Sequence, residues 1–323
     1  MFITIPLEPK QISYLKGNGM LLSGEEVIDS YQAGKGNMNV TLKIKTNKRI
    51  FVLKQSRPFV VKFPEVPAPL NRIEIELKFY NEINKDNLLA CFSPAVLGFD
   101  KNAWLLAIEH LDEGGDYLWL YENKNSLKKE VIDHLLTYLK KLHQLPVTDF
   151  PINQEMRKLN HQHIFVLPYL PDNGFNLDQI QEGLQDLSTM VKDKPELIEK
   201  INLLGERYLK PGDVLIHGDF YPGSWFETEK GLKIIDTEFA FLGEPEFDLA
   251  VMLAHLKLSS TAVSQLLRII ESYPLKNEIL AQYTGVEILR RLFGLAQLPL
   301  SLSLEEKKKL ATFAINLIMN EKF

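Results

Sequence analysis

Asp219 and Asp236 stand 17 residues apart, each just past a short apolar run, in "VLIHGDF" and "LKIIDTEF". Val214 to Ile216 and Leu232 to Ile235 read as buried strands, so each aspartate is delivered to a strand end. If the two strands pair, both carboxylates lie at one rim. Two acids there repel each other unless a cation or a transferable proton separates their roles. One arrangement that does so puts Mg²⁺ on one acid and a substrate hydroxyl on the other. Two turn aspartates capping nearby backbone would give the same spacing, so the pair alone decides nothing.

Other residues add weight. Lys54 in "FVLKQ" follows three apolar residues in a strand interior, where an ammonium needs a partner. The helical pattern "NRIEIELKFYNEIN" offers Glu74 and Glu76. At about 100° per residue Glu76 falls in the stripe of Ile73, Leu77, Tyr80 and Ile83, and Glu74 falls outside it. Glu76 is therefore the expected partner of Lys54, with Glu74 second. Upstream, "AGKGNMN" (Ala33 to Asn39) supplies Gly34 and Gly36, which let backbone N–H groups approach phosphate oxygens. It is not a Walker A motif. Loop, strand lysine, helix acid, loop aspartate and second aspartate follow the order of the protein-kinase signature set. "HGD" stands where "HRD" would be, and "IDTE" where "DFG" would be.

These residues need a scaffold. "VTLKIKT" and "RIFVLKQ" alternate apolar positions around Asn47 and Lys48 and read as a hairpin. "AWLLAIEHL" (Ala103 to Leu111) reads as a buried strand, and "DEGGD" breaks it. Beyond that point the pattern turns helical. Val131, Leu135, Tyr138 and Leu142 form one face of a helix stopped by Pro146. "PYLPDNGFNLDQI" reads as a loop entering a helix, and the tail from Asp248 is helical again. The outline is an α+β chain: a strand-rich lobe, 1–108, a hinge, 109–115, and a mainly helical lobe, 116–323.

Composition bounds the function. The chain has 323 residues, 45% of them hydrophobic, and a net charge of -5, enough for two domains or two lobes. No run of apolar residues reaches membrane-spanning length, and "MFITIPLEPKQ" has no signal-peptide pattern. Cys91 is the sole cysteine, which excludes an internal disulfide and fits a reducing cytoplasm. The acidic balance disfavours nucleic acid as partner. "EEKKK" (Glu305 to Lys309) reads as a solvated helix face.

Remaining polar candidates are weaker. His217 more often orders a loop from a buried position than acts as base. Asp248 reads as a first-turn acid, and His143 as a packed helix residue. His161 and His163 lack the carboxylate or cysteine support a metal site needs. Trp225 reads as packing. Arg290 and Arg291 are adjacent and point about 100° apart on a helix, so at most one would aim squarely into a cleft unless the helix ends there.

"LIHGDFYPGSW", "KIIDTEFAF", "LKKLHQLP", "GKGNMN", "VLKQSRPFV" and "EILRRLFGLA" together resemble the aminoglycoside phosphotransferase superfamily of protein-kinase-like small-molecule kinases. Within it the likeness is nearest to the 5-methylthioribose kinases. The resemblance implies a bilobal kinase-like fold and transfer of the ATP γ-phosphoryl group, with Mg²⁺, to a hydroxyl of a small molecule. It implies Asp219 as catalytic residue and Asp236, Glu238 and Ser224 as metal ligands. ATP would meet Gly34, Gly36, Asn37, Asn39, Lys54, Glu76 and the backbone from Glu109 to Leu111. Arg290 and Arg291 would meet the acceptor, and Asp248 would tie down the catalytic loop. In the methylthioribose kinase pattern "RIE" selects Glu74 instead of Glu76. Phe220 and Tyr221 after "HGD", and "GEPEFDLA", depart from the family, so the acceptor is left open: a methylthioribose-like sugar, choline, homoserine or an aminoglycoside. A nucleotide-binding pseudokinase is the rival from another class. No nucleic acid or membrane partner is expected, and a homodimer is compatible with this reading.

Overall fold

The computed structural model describes residues 1–34, 38–111, 114–122 and 126–323. The chain forms two compact units, Met1–Gly115 with Glu227–Ala240, and Asp116–Phe226 with Phe241–Phe323. Residues 227–240, expected in the helical part, fold with the strand-rich unit. There the Ile234 N–H donates to the Phe92 carbonyl at 2.7 Å, and Lys233 Nζ to the Ser93 carbonyl at 3.1 Å.

The first unit is built on an antiparallel sheet of β1 (Val27–Gln32), β2 (Val40–Thr46), β3 (Ile50–Gln55), β4 (Val96–Asp100) and β5 (Leu105–Glu109), in the order β1-β2-β3-β5-β4. Period-two alternation puts Leu42, Ile44, Phe51, Leu53, Leu105 and Ala107 into one core with Leu15 of helix α1 (Pro9–Gly17). Lys54 has the opposite parity from Phe51 and Leu53, and it sits in register between Thr41 and Leu106. Helix α2 (Arg72–Ile83) packs on β4 and β5. Its buried residues include Ile73, Glu76, Phe79, Tyr80 and Ile83, while Leu77 is only half-buried. Phe79 takes the place expected for Leu77, so the buried stripe is turned slightly from the one expected.

The second unit is mainly helical: α3 (Lys129–Leu142), α4 (Gln154–His161), α5 (Pro195–Tyr208), α6 (Pro245–Leu258), α7 (Asn277–Phe293) and α8 (Leu304–Asn320). Helix α7 packs against both α6 and α8. Both α6 and α7 are buried on nearly every side, as the apolar character of α6 requires. Their charged and ionisable residues, Asp248, His255, Glu287, Arg290 and Arg291 among them, are therefore buried and must find partners. Helix α3 buries Ile132, Leu135, Leu139 and Leu142, with Val131 at the edge of that face. The "PYLPDNGFNLDQI" loop holds two short 3-10 turns before the helix Leu184–Lys192. Ser303 and Glu306 cap α8 reciprocally. The "EEKKK" run is not wholly solvated, since Lys307 is buried and burial lowers its pKa.

The two apolar strands that deliver the aspartates do not pair with each other. Val214–Ile216 pairs antiparallel with Phe241–Gly243, through Ile216 opposite Phe241. The strand Gly231–Ile234 belongs to the other unit. The chain turns after it, at Asp236, whose φ of 61° is left-handed. No helix among the described residues is long and apolar enough to cross a membrane.

Candidate active site

In the first unit Lys54 Nζ lies 2.6 Å from Glu76 Oε1 and 2.6 Å from Asp236 Oδ1. Glu74 pairs instead with Lys101 at 2.9 Å, because it lies off the buried stripe. The buried face of the helix therefore carries the partner, and the glutamate of "RIE" does not. Burial disfavours the Lys54 charge, but Asp236 and Glu76 outweigh it and hold the ammonium protonated, its pKa raised. The Tyr80 hydroxyl donates to Glu76 Oε1 at 3.0 Å. This cluster fixes a cation in the sheet face, and Asp236 remains half-exposed beside it.

Glu238 is buried, and its carboxyl is pushed up to about 7, first by desolvation, against the opposing pull of Arg72. Its Oε2 accepts from Asn39 Nδ2 at 2.9 Å and lies 3.3 Å from Arg72 Nε. Asn39 Oδ1 in turn accepts from Arg72 Nε at 2.9 Å and from Ser56 Oγ at 3.2 Å. Asn39, expected at the nucleotide, thus has both ends of its amide engaged by protein. It is an orienting group for Glu238 here. Gly34 adopts φ +71°. Gly36 and Asn37 lie outside the described residues. The Glu109 N–H is taken by the Ala95 carbonyl at 2.8 Å, at the end of β5, and Leu111 is half-buried.

The donor set fits Mg²⁺. Asp236 and Glu238 offer hard carboxylate oxygens, the ligand type that ion takes, and it is commonly held by one or two carboxylates together with phosphate oxygens. Between them, Thr237 Oγ1 is buried without a hydrogen-bond partner among the described residues. Glu76 Oε2 is in the same position beside Lys54. Buried polar atoms left this way are costly unless something binds there. The left-handed backbone at Asp236 is a second mark of a residue held for a task.

In the second unit Asp219 sits in a tight loop after Val214–Ile216. Gly218 has φ +82°, a conformation a side chain would resist. Asp248, in the first turn of α6, accepts from the His217 N–H at 2.7 Å and the Gly218 N–H at 2.9 Å. His143 Nε2 lies 3.1 Å from the same carboxylate. Asp248 thus anchors the loop backbone, as the resemblance implied. His217 is buried, its Nδ1 accepting from the Asp219 N–H at 3.3 Å, which is an ordering role. Trp225 is fully buried against Phe220 and Tyr117. The Ser224 hydroxyl lies 2.8 Å from the Tyr221 carbonyl and 3.1 Å from the Asp219 carbonyl. It closes its own turn.

Both arginines reach the loop acid. Arg290 Nη2 is 3.3 Å and Arg291 Nη2 3.4 Å from Asp219 Oδ1. Both aim inward, the exception expected where a helix ends: the two lie in the last turn of α7, and Glu287 draws their side chains together from one turn back. Its Oε2 accepts from Arg290 Nε at 2.5 Å, and its Oε1 from Arg291 Nε at 2.9 Å. Desolvation opposes the Glu287 charge, but Arg290 and Arg291 outweigh it and hold the carboxyl well below its ordinary range. The same balance leaves the Asp219 pKa raised: burial exceeds the pull of Arg291 and Arg290.

Behind Glu287 stands His255 of α6, its Nε2 2.9 Å from Oε1. Burial pushes the His255 pKa down to about 4, so the ring is neutral. With Nε2–H donating to Glu287, Nδ1 is an acceptor, and the Tyr121 hydroxyl donates to it. Burial holds Tyr121 protonated, well above its ordinary range. Sequence reasoning missed Glu287, His255, Tyr121 and Arg72. Only Glu287 carried a signal, an acid with arginines three and four residues on. The pKa values of His161 and His163 are lowered by desolvation, and the His161 ring lies tilted against Phe165.

The chain is 28% identical over 251 residues to the methylthioribose kinase of Exiguobacterium sibiricum, covering 73% of this chain and 62% of that protein. It is 25% identical over 271 residues to the enzyme of that name from Pectobacterium atrosepticum, covering 79% and 66%. The chain thus spans under two thirds of the length of these relatives. Among solved structures, the choline kinase LicA of Streptococcus pneumoniae aligns over 97% of this chain and all of its own, with a TM-score of 0.52 at 16% identity. A spectinomycin phosphotransferase in complex with ADP and spectinomycin aligns over 98% and 99%, with a TM-score of 0.53 at 13% identity. At such identities these two establish the α+β, protein-kinase-like fold alone. The model of the phosphotransferase enzyme family APH matches residues 45–274, most of the chain and both clusters of charged residues save Glu287, Arg290 and Arg291 of α7, and the chain belongs to that family.

Proposed function

We propose that the chain is an ATP- and Mg²⁺-dependent phosphotransferase that moves the γ-phosphoryl group to a hydroxyl of a small, uncharged acceptor, a methylthioribose-like sugar. The observation that carries the acceptor class is the pairing of Asp219 and Glu287 with Arg290 and Arg291. A cationic acceptor such as choline or an aminoglycoside asks for unmatched negative charge. Here two acids are met by two arginines, and the Arg291 guanidinium already covers the Tyr221 ring at 5.0 Å. The likeness to methylthioribose kinases supports the same reading.

In this reading Lys54 holds donor phosphate oxygens with a permanently charged ammonium, and Glu76 keeps that side chain in place. Asp236 and Glu238 hold Mg²⁺, which supplies charge neutralisation on the phosphates when bound. Asp219 orients the acceptor hydroxyl and takes its proton late. Its pKa, lifted by burial and restrained by the arginines, suits a group that must stay ionised yet accept a proton. Phosphoryl transfer asks mainly for positioning and electrostatics, which is what these fixed charges provide.

The test is an ADP-release screen over hydroxylated metabolites, starting with methylthioribose, run beside a thermal-shift titration with ATP and Mg²⁺. Release with a neutral sugar is expected, with Asp219→Asn slower by roughly 10²–10⁴-fold and its ATP-induced shift retained. ATP binding without turnover on any acceptor would leave the pseudokinase reading standing instead. Turnover on choline or an aminoglycoside would sink the acceptor class.

A further inference from the structure

Resting on that kinase reading, we propose that Glu287 is a positioning residue for transfer: it sets the tilt of Arg290 and Arg291 so that both present a terminal nitrogen to Asp219. The residues lie at i, i+3 and i+4 on α7, the spacing at which helix side chains share a face. Glu287 takes the Nε of each arginine with a separate oxygen, at 2.5 Å and 2.9 Å. A guanidinium is planar, so fixing its Nε fixes where its Nη2 points. Both Nη2 atoms then meet one atom, Asp219 Oδ1, at 3.3 Å and 3.4 Å. These are long contacts, and a small rotation of either plane would break them.

Without the Glu287 charge, two buried guanidiniums would share a single carboxylate, Asp219, among the described residues. Like charges in a poorly solvated site separate. The Glu287 carboxylate is itself held, since His255 Nε2 donates to it at 2.9 Å and Tyr121 fixes the His255 tautomer from the far side. The clamp thus runs from Tyr121 through His255 and Glu287 to the arginine pair and ends on Asp219. An ion pair serving only helix packing would not need both arginines to converge on the loop acid.

The experiment compares steady-state kinetics of wild type, Glu287→Gln and Glu287→Asp, with the acceptor found in the screen and with ATP varied separately. Glu287→Gln keeps the shape and loses the charge. Its kcat/KM for the acceptor is expected to fall by about 10–10²-fold, the scale of a misplacement near 1 Å, with KM for ATP within about twofold of wild type. Glu287→Asp keeps the charge but shortens the reach, and it is expected to recover part of that loss. If Glu287→Gln fails to fold, the Asp variant decides alone: a loss confined to the acceptor supports the clamp, and unchanged acceptor kinetics overturn it. A folded Glu287→Gln protein with wild-type acceptor kinetics, or with equal losses toward ATP and acceptor, also overturns it. A wild-type chain that turns over no acceptor sinks the kinase reading and this inference with it, an outcome visible before any variant is compared.

Discussion

Lys54 shows how far one residue's surroundings can be argued from its neighbours. A lysine after Phe-Val-Leu in a strand has to find a carboxylate, and the 3.6-residue period favours Glu76 over Glu74. The same logic did not give Asp236 as a second partner at 2.6 Å, since no local pattern ties residues 182 positions apart. With Asp236 removed, Lys54 keeps Glu76 at 2.6 Å, so the ammonium is not stranded. Asp236→Asn is expected to abolish most of the Mg²⁺-dependent part of the thermal shift with ATP. Asp219→Asn should keep it. Equal Mg²⁺-dependent shifts in the two variants would remove Asp236 from the metal set. Arg290 and Arg291 mark the limit of residue-level reasoning. Their 100° separation was right for an ideal helix surface, but long side chains can bend to a common carboxylate.

At the scale of elements, the apolar runs were legible and their pairing was not. Val214–Ile216 and Gly231–Ile234 both read as strands, yet each run is too short to specify a register or a partner. Asp248 was readable as a first-turn acid, but its bonds to the His217 and Gly218 N–H groups depend on a helix and a loop 30 residues apart meeting in space. Helix packing supplies a sharp test. At Gly285 of α7 an added Cβ would lie 2.6 Å from the Ala314 carbonyl oxygen and 2.7 Å from Ile318 Cγ1 of α8. Gly285→Ala is therefore expected to force the two helices apart and cost about 1–3 kcal/mol, read as a lowered urea midpoint. An unchanged midpoint would mean that α8 yields freely at this contact.

For the molecule as a whole, buried ionisable groups set how stability follows pH. His255 is neutral in the fold, with a pKa near 4 against an ordinary value of 6.5. Between those values the unfolded chain binds a proton the folded chain refuses. Stability from this group is thus fully present above pH 6.5 and is lost as pH falls toward 4, by at most about 3 kcal/mol. Denaturation midpoints at pH 7.5 and 5.0 should differ accordingly, and His255→Gln should narrow the difference. A variant with the full wild-type difference would place the titrating group elsewhere.

The sequence by itself determined the chemistry on offer: two loop aspartates, a strand lysine with its helix acid, and an arginine pair, in an order that already resembled a kinase. It determined the strand-rich and helical halves too, because hydrophobic period is a local property. Tertiary structure alone decided that 227–240 folds with the strand-rich unit, that Asn39 orients Glu238, and that Glu287, His255 and Tyr121 stand behind the arginines. Those outcomes depend on contacts between segments tens to hundreds of residues apart, where burial and charge pairing, not local pattern, select the partner.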